Sequence, residues 1–172
     1  MSFVSKNEIE QFSFDDCQIS KIENTKEDLV LYLDALIVRE RNSQNTNFTL
    51  SYADTTKVTL KNFRIYSAFL AGYKMYDAND KLLSEIPDRE IAVTEWNSSL
   101  KKCEGAYLYR MMKSTEEEAS GLEDKRAFVY DIEVENYTDE GIPDFTGDTY
   151  VFRVGFDESV FSWDRYLNRV QN

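Results

Sequence analysis

At 172 residues the chain has the length of one domain, long enough to bury roughly 70% of the surface its unfolded form exposes, so it needs no disulfide or metal staple to fold. Its 42% hydrophobic content, with 11 Phe and 11 Tyr, is too apolar for a disordered chain and suits aromatic-rich sheets. Thirty-two acidic residues against twenty basic ones give a formal net charge of −12, which disfavours nucleic acid and anionic membrane surfaces as partners, and the complete absence of histidine removes Ser-His-Asp and Cys-His catalysis and histidine-based zinc sites.

In chain order, the apolar positions Phe12, Phe14, Cys17, Ile19 and Ile22 change parity near Asp15-Asp16, as in a strand with an irregularity there. Asn24 to Asp28 reads as a turn. Leu29 to Val38 is apolar on both faces, which predicts one central strand covered on each side. After a polar stretch from Arg39 to Asn47, Phe48–Tyr52 and Val58–Leu60, continuing towards Ile65, predict a meander turned at Asp54–Lys57. Tyr73–Tyr76 and Lys81–Ile86 flank Asp77-Ala78-Asn79-Asp80 and have the form of a hairpin, closed by Pro87-Asp88.

Ile91 to Lys102 fits a strand at its start and a helical turn or loop after Trp96. Gly105–Met112 predicts a strand, and Ser114–Asp124 a mobile loop or a short helix started by Ser114. Ala127–Tyr137 and Thr149–Phe156 alternate most cleanly. After Asp157, the residues Val160, Phe161, Trp163, Tyr166, Leu167 and Val170 recur at helical spacing, which predicts an amphipathic C-terminal helix over 157–171 packed on the sheet. No repeat and no linker divides the chain, so residues 1–172 are read as one strand-rich domain.

Cys17 and Cys103 are far apart and in no C-x-x-C arrangement, and are expected to be buried apolar side chains rather than a metal or redox pair. The first residues carry no signal-peptide-like apolar stretch and no run of about eighteen apolar residues follows, which gives a cytoplasmic expectation. The triplets at Asn47, Asn97 and Asn136 that match the glycosylation pattern have no meaning without secretion.

Among chemical candidates, Asp77, Asn79, Asp80 and Glu85 lack the glycine and spacing of a calcium loop and read as a turn, so no metal is assigned. Glu95 beside Trp96, and Glu104, are the first suspects for a carboxylate-based glycosidase, whereas Glu133 and Glu135 read as the solvent face of a strand. No phosphate-binding glycine motif occurs and no cofactor is expected. Tyr66, Tyr73, Tyr76, Tyr107 and Tyr109 either pack across strands or line a concave sheet.

The segment Phe14-Asp15-Asp16-Cys17-Gln18-Ile19-Ser20-Lys21-Ile22 followed by Asp28-Leu29-Val30-Leu31-Tyr32-Leu33 resembles the start of small, strand-rich bacterial proteins of unknown function, some of them similar to toxin-immunity proteins. Where such families often carry a histidine before the aspartate, this chain has Asp15. The resemblance covers about the first third of the chain, carries no functional residue across, and implies a bacterial cytoplasmic protein that works by binding a partner.

The combined reading is a mainly β protein: an antiparallel β-sandwich or open barrel of about eight to ten strands with the C-terminal helix, an α+β layered fold being the alternative. The expected function is a non-enzymatic binding module, an acidic immunity or inhibitor-type protein that binds a basic protein through Glu116, Glu117, Glu118, Glu123, Asp124, Asp139 and Glu140. The competing class is a small-molecule or carbohydrate-binding barrel with carboxylate-based hydrolysis, and a homo-oligomer sealing an exposed strand edge is a third.

Overall fold

The computed structural model describes residues 2–137 and 147–169, and their backbone is mainly β, in antiparallel sheets with no closed barrel. In chain order the strands are β1 (Phe3–Lys6), β2 (Phe12–Ser13), β3 (Gln18–Asn24), β4 (Leu29–Asp34), β5 (Ile37–Val38), β6 (Ser51–Ala53), β7 (Thr56–Lys61), β8 (Arg64–Leu70), β9 (Tyr73–Tyr76), β10 (Leu82–Ile86) and β11 (Arg89–Glu90). A short helix α1 (Trp96–Lys102) precedes β12 (Tyr107–Lys113), and the single turn α2 (Glu116–Ala119) precedes β13 (Phe128–Asn136), β14 (Asp148–Phe156), β15 (Glu158–Trp163) and β16 (Tyr166–Arg169).

Ten strands form one sheet in the order β1-β15-β7-β4-β3-β12-β13-β14-β8-β11, and four form a second in the order β16-β6-β5-β2. The two orders match: each strand of the small sheet continues one of β15, β7, β4 and β3. All four chains bend along one line, at Asp164-Arg165, Asp54-Thr55, Ala35-Leu36 and Phe14–Cys17, in the way that strands turn sheet corners. This line is hydrogen-bonded: Ala53 N–H donates to Leu36 O (3.0 Å), Asp54 N–H to Arg165 O (3.0 Å), and Asp164 N–H to the Asp54 carboxylate (3.0 Å). The bend explains why Leu29–Val38 is two strands rather than one. Ala35 sits at φ 58°, a left-handed conformation that no strand tolerates, and hands the chain from the large sheet to the small one.

At a second corner, β7 runs on into β8 past Asn62-Phe63, and β14 into β15 past Asp157, where Asp157 N–H donates to Lys61 O (2.8 Å). Strands of one half of the large sheet thereby become strands of the other, and one core cluster draws on both, from Leu31, Leu33, Leu60 and Phe161 to Leu108, Ile132, Phe152 and Phe156. The arrangement fits a sandwich.

The predicted C-terminal helix is not formed. Residues 158–163 and 166–169 are strands, and 170–171 lie outside the described residues. Ser159, Phe161 and Trp163 point into the core and alternate with Glu158, Val160 and Ser162, a period of two. With β1 on one side and β7 on the other, β15 has both edges hydrogen-bonded. Phe161 stacks on Phe12 (centroids 4.3 Å apart) and Trp163 on Phe3 (5.6 Å). The helical spacing arises because the bend at Asp164-Arg165 resets the parity between two short strands.

Candidate functional site

The acidic residues singled out from the sequence fall into two circumstances. Thr115, not Ser114, caps α2: its hydroxyl accepts from Glu118 N–H (3.1 Å) while the Glu118 carboxylate accepts from Thr115 N–H (3.3 Å). Glu118 also pairs with Arg153 of β14, and the same guanidinium binds Asp131 of β13 (2.9 Å). Asp124 is clasped by Arg126 (2.7 Å) and Arg64 (2.9 Å), which hold its carboxyl below the usual carboxylate range. Glu118 is thus neutralised by Arg153 of β14, and Asp124 by its near neighbour Arg126 and by Arg64 of β8. Glu116, Glu117 and Glu123 are exposed, with no ion pair among the described residues, and Asp139 and Glu140 lie outside them. The structure therefore brings 116–118 and 123–124 into one region without making it uniformly anionic.

On β13, Asp131, Glu133 and Glu135 share the outer face. Glu133 receives a two-pronged bond from Arg110 (2.7 and 2.9 Å) and Glu135 accepts from Tyr137 Oη–H (2.7 Å), so these acids form the solvent face of a strand. The five tyrosines do not gather on one concave surface. Tyr107 and Tyr109 are exposed on β12, Tyr73 and Tyr76 on the β9–β10 ribbon, while Tyr66 donates to Asp124 O (3.0 Å) and accepts from Arg126 N–H (2.8 Å).

The glycosidase suspects are not placed for acid catalysis. Glu104 accepts from Lys101 Nζ (2.8 Å) and Ile22 N–H (2.9 Å), and these bonds hold its carboxyl low, opposite to the raised value a general acid needs. Glu95 lies exposed in the 3₁₀ turn before α1. Cys17 and Cys103 are both unpaired and buried, and burial raises both thiols, Cys103 to about 12. Asp77 is occupied in its turn, accepting from Asn79 N–H (2.8 Å) and Lys81 N–H (2.9 Å). Among the described residues no three acidic or cysteine side chains converge as metal ligands, and no helix is long and apolar enough to cross a membrane.

The most distinctive surface feature is the β9–β10 ribbon, which extends from the β8–β11 edge pair and forms a two-stranded sheet of its own. Its root is tight: a Cβ on Gly72 would lie 2.0 Å from Ile86 O, and Gly72 N–H donates to the Asp88 carboxylate (2.7 Å). Every residue of β9 and β10 is exposed, including Tyr73, Met75, Tyr76, Leu82, Ile86 and Leu83, the last at 61%. The register pairs Tyr73 with Ile86 and Met75 with Ser84, so one face of the arm carries no charge; the other carries Lys74 paired with Glu85 (3.7 Å) beside Tyr76 and Leu82. The hairpin is legible in the sequence. Its exposure is hinted at only by apolar residues on both parities of a segment with charged flanks.

The chain matches no protein-family model, and no curated protein or solved structure is significantly similar to it.

Proposed function

We propose that the chain is a non-enzymatic binding module of the immunity or inhibitor type, which seats the β9–β10 arm in an apolar groove of a basic protein. The observation that carries this reading is the arm itself: a two-stranded ribbon whose uncharged face presents Tyr73, Met75 and Ile86 to solvent. Large apolar side chains in an exposed cluster mark interaction surfaces, and Tyr and Met are enriched in them. A basic partner follows from charge. The chain carries −12, and the arm and its root hold Asp77, Asp80, Glu85, Asp88 and Glu90 against Lys74, Lys81 and Arg89. A second copy of the chain would meet repulsion, whereas a cationic protein would be steered in.

The test places a photo-crosslinking residue at Leu83 and, as a control, at exposed Val4 on β1, at the other end of the large sheet. The protein captured from Leu83 alone is purified and its affinity measured against wild type and the Met75→Ser/Leu83→Ser variant. The expected result is a basic protein bound more weakly as salt rises, with the variant losing about thirtyfold or more, the effect of truncating interface hot spots. Equal capture from Val4, an acidic partner, or an affinity that the variant leaves unchanged would each overturn the proposal.

A further inference from the structure

A cleft of about 480 Å³ opens between the β3–β4 turn, the start of β8 and the front of α1, away from any role in the proposal above. Its volume lies within the range of small-ligand sites. Trp96, half-buried, forms part of its wall, and its indole N–H is anchored on Ile91 O (2.9 Å), which holds the ring in place. Phe63 and Ile65 add apolar surface, and Val93 stands 69% exposed at the same cleft. Opposite in character are Asn24 and Asn97: Asn24 Nδ2 donates to Asn97 Oδ1 (3.1 Å), so each amide orients the other. That bond leaves the Asn24 carbonyl oxygen as an acceptor and the Asn97 amino group as a donor.

We infer that this cleft binds a neutral saccharide. A sugar ring offers an apolar C–H face that packs on an aromatic plane and a rim of adjacent hydroxyls, one donating and the next accepting, which the two amides complement. An anion fits less well. Of the two cationic lining residues, Arg64 is engaged by Asp124 (2.9 Å) and lies over the Tyr66 ring (5.6 Å), and the −12 field opposes anions. No carboxylate is among the described lining residues, so they offer no acid and base pair with which to cleave a glycoside, and the inference is of binding alone.

The test is saturation-transfer NMR on the whole protein with glucose, galactose, mannose, N-acetylglucosamine, maltose and cellobiose at millimolar concentration, with inorganic phosphate as competitor. Asn24 and Asn97 are exposed, so Asn24→Ala/Asn97→Ala should fold; a second variant, Val93→Arg, crowds the cleft from an exposed position. Transfer to at least one sugar, insensitive to phosphate and weakened about tenfold or more in both variants, is the expected result. Transfer to none, transfer that the variants leave unchanged, or displacement by phosphate would overturn it.

Discussion

Ser5 of β1 and Ser159 of β15 lie on adjacent, paired strands and are both wholly inaccessible to solvent, yet the same substitution should move stability in opposite directions. The Ser5 hydroxyl donates to the Glu8 carboxylate (2.5 Å) and accepts from Asn42 Nδ2 (3.1 Å), itself buried. Ser5→Ala removes one bond to a charged group and strands a buried amide, at a cost of about 2–3 kcal/mol. The Ser159 hydroxyl has no hydrogen-bond partner among the described residues, while its backbone is held on both sides by Asn7. Replacing that orphaned hydroxyl with a methyl group relieves a desolvation cost, for a gain of about 1 kcal/mol. The two variants should therefore differ by about 3–4 kcal/mol, which for a domain of this size separates their Tm values by roughly 6–16 °C. Equilibrium urea denaturation followed by tryptophan fluorescence, with an unchanged slope, measures the difference directly. If Ser159→Ala lost as much stability as Ser5→Ala, the assignment of one satisfied and one unsatisfied serine would be refuted.

Two further outcomes follow from burial and charge. Cys17 and Cys103 should resist aromatic disulfide reagents in the native state and react only as the chain unfolds, because burial keeps both as thiols; rapid labelling of either without unfolding contradicts their placement. Stability should be level from about pH 5.5 to 7, since there is no histidine to titrate, and fall on the acid side. Glu104, Asp124, Asp157 and Glu158 are held low by hydrogen bonds from Lys101, Arg126, Asn62 and Lys61 respectively, so their contribution is present above the unfolded carboxylate value of about 4 and is lost as pH falls through the lower folded values. Glu104→Gln should flatten that acid limb; a stability step between pH 6 and 7 would reveal an unrecognised titrating group.

Local alternation made most of the strands legible. Phe128–Asn136 and the middle of Asp148–Phe156 alternate buried with partly exposed positions, so their period of two is written into the order of their residues. The 73–86 hairpin was equally clear because its turn is built by Asp77 from within the segment. Buried cysteines and the absence of histidine chemistry also needed nothing beyond the sequence.

Tertiary structure decided what local pattern leaves degenerate. Val160, Phe161, Trp163, Tyr166 and Leu167 satisfy a helical spacing and equally two strands joined by a bend, and pairing to β1, β7 and β6 selects the strands. Ala35 breaks one apolar run in two because the small sheet needs its own strand there. Glu118 and Asp124 look like open negative charge until Arg153 and Arg64 arrive from β14 and β8, Asp124 being paired also with nearby Arg126. The apolar residues of the arm look like core until the topology, among the described residues, leaves that ribbon without a third strand or a covering layer. The sequence alone thus determined which segments are half-buried strands, because alternation is a local response to one wet and one dry face. Only the fold determined which charges are neutralised and which apolar faces stay uncovered, because both depend on partners distant in the chain.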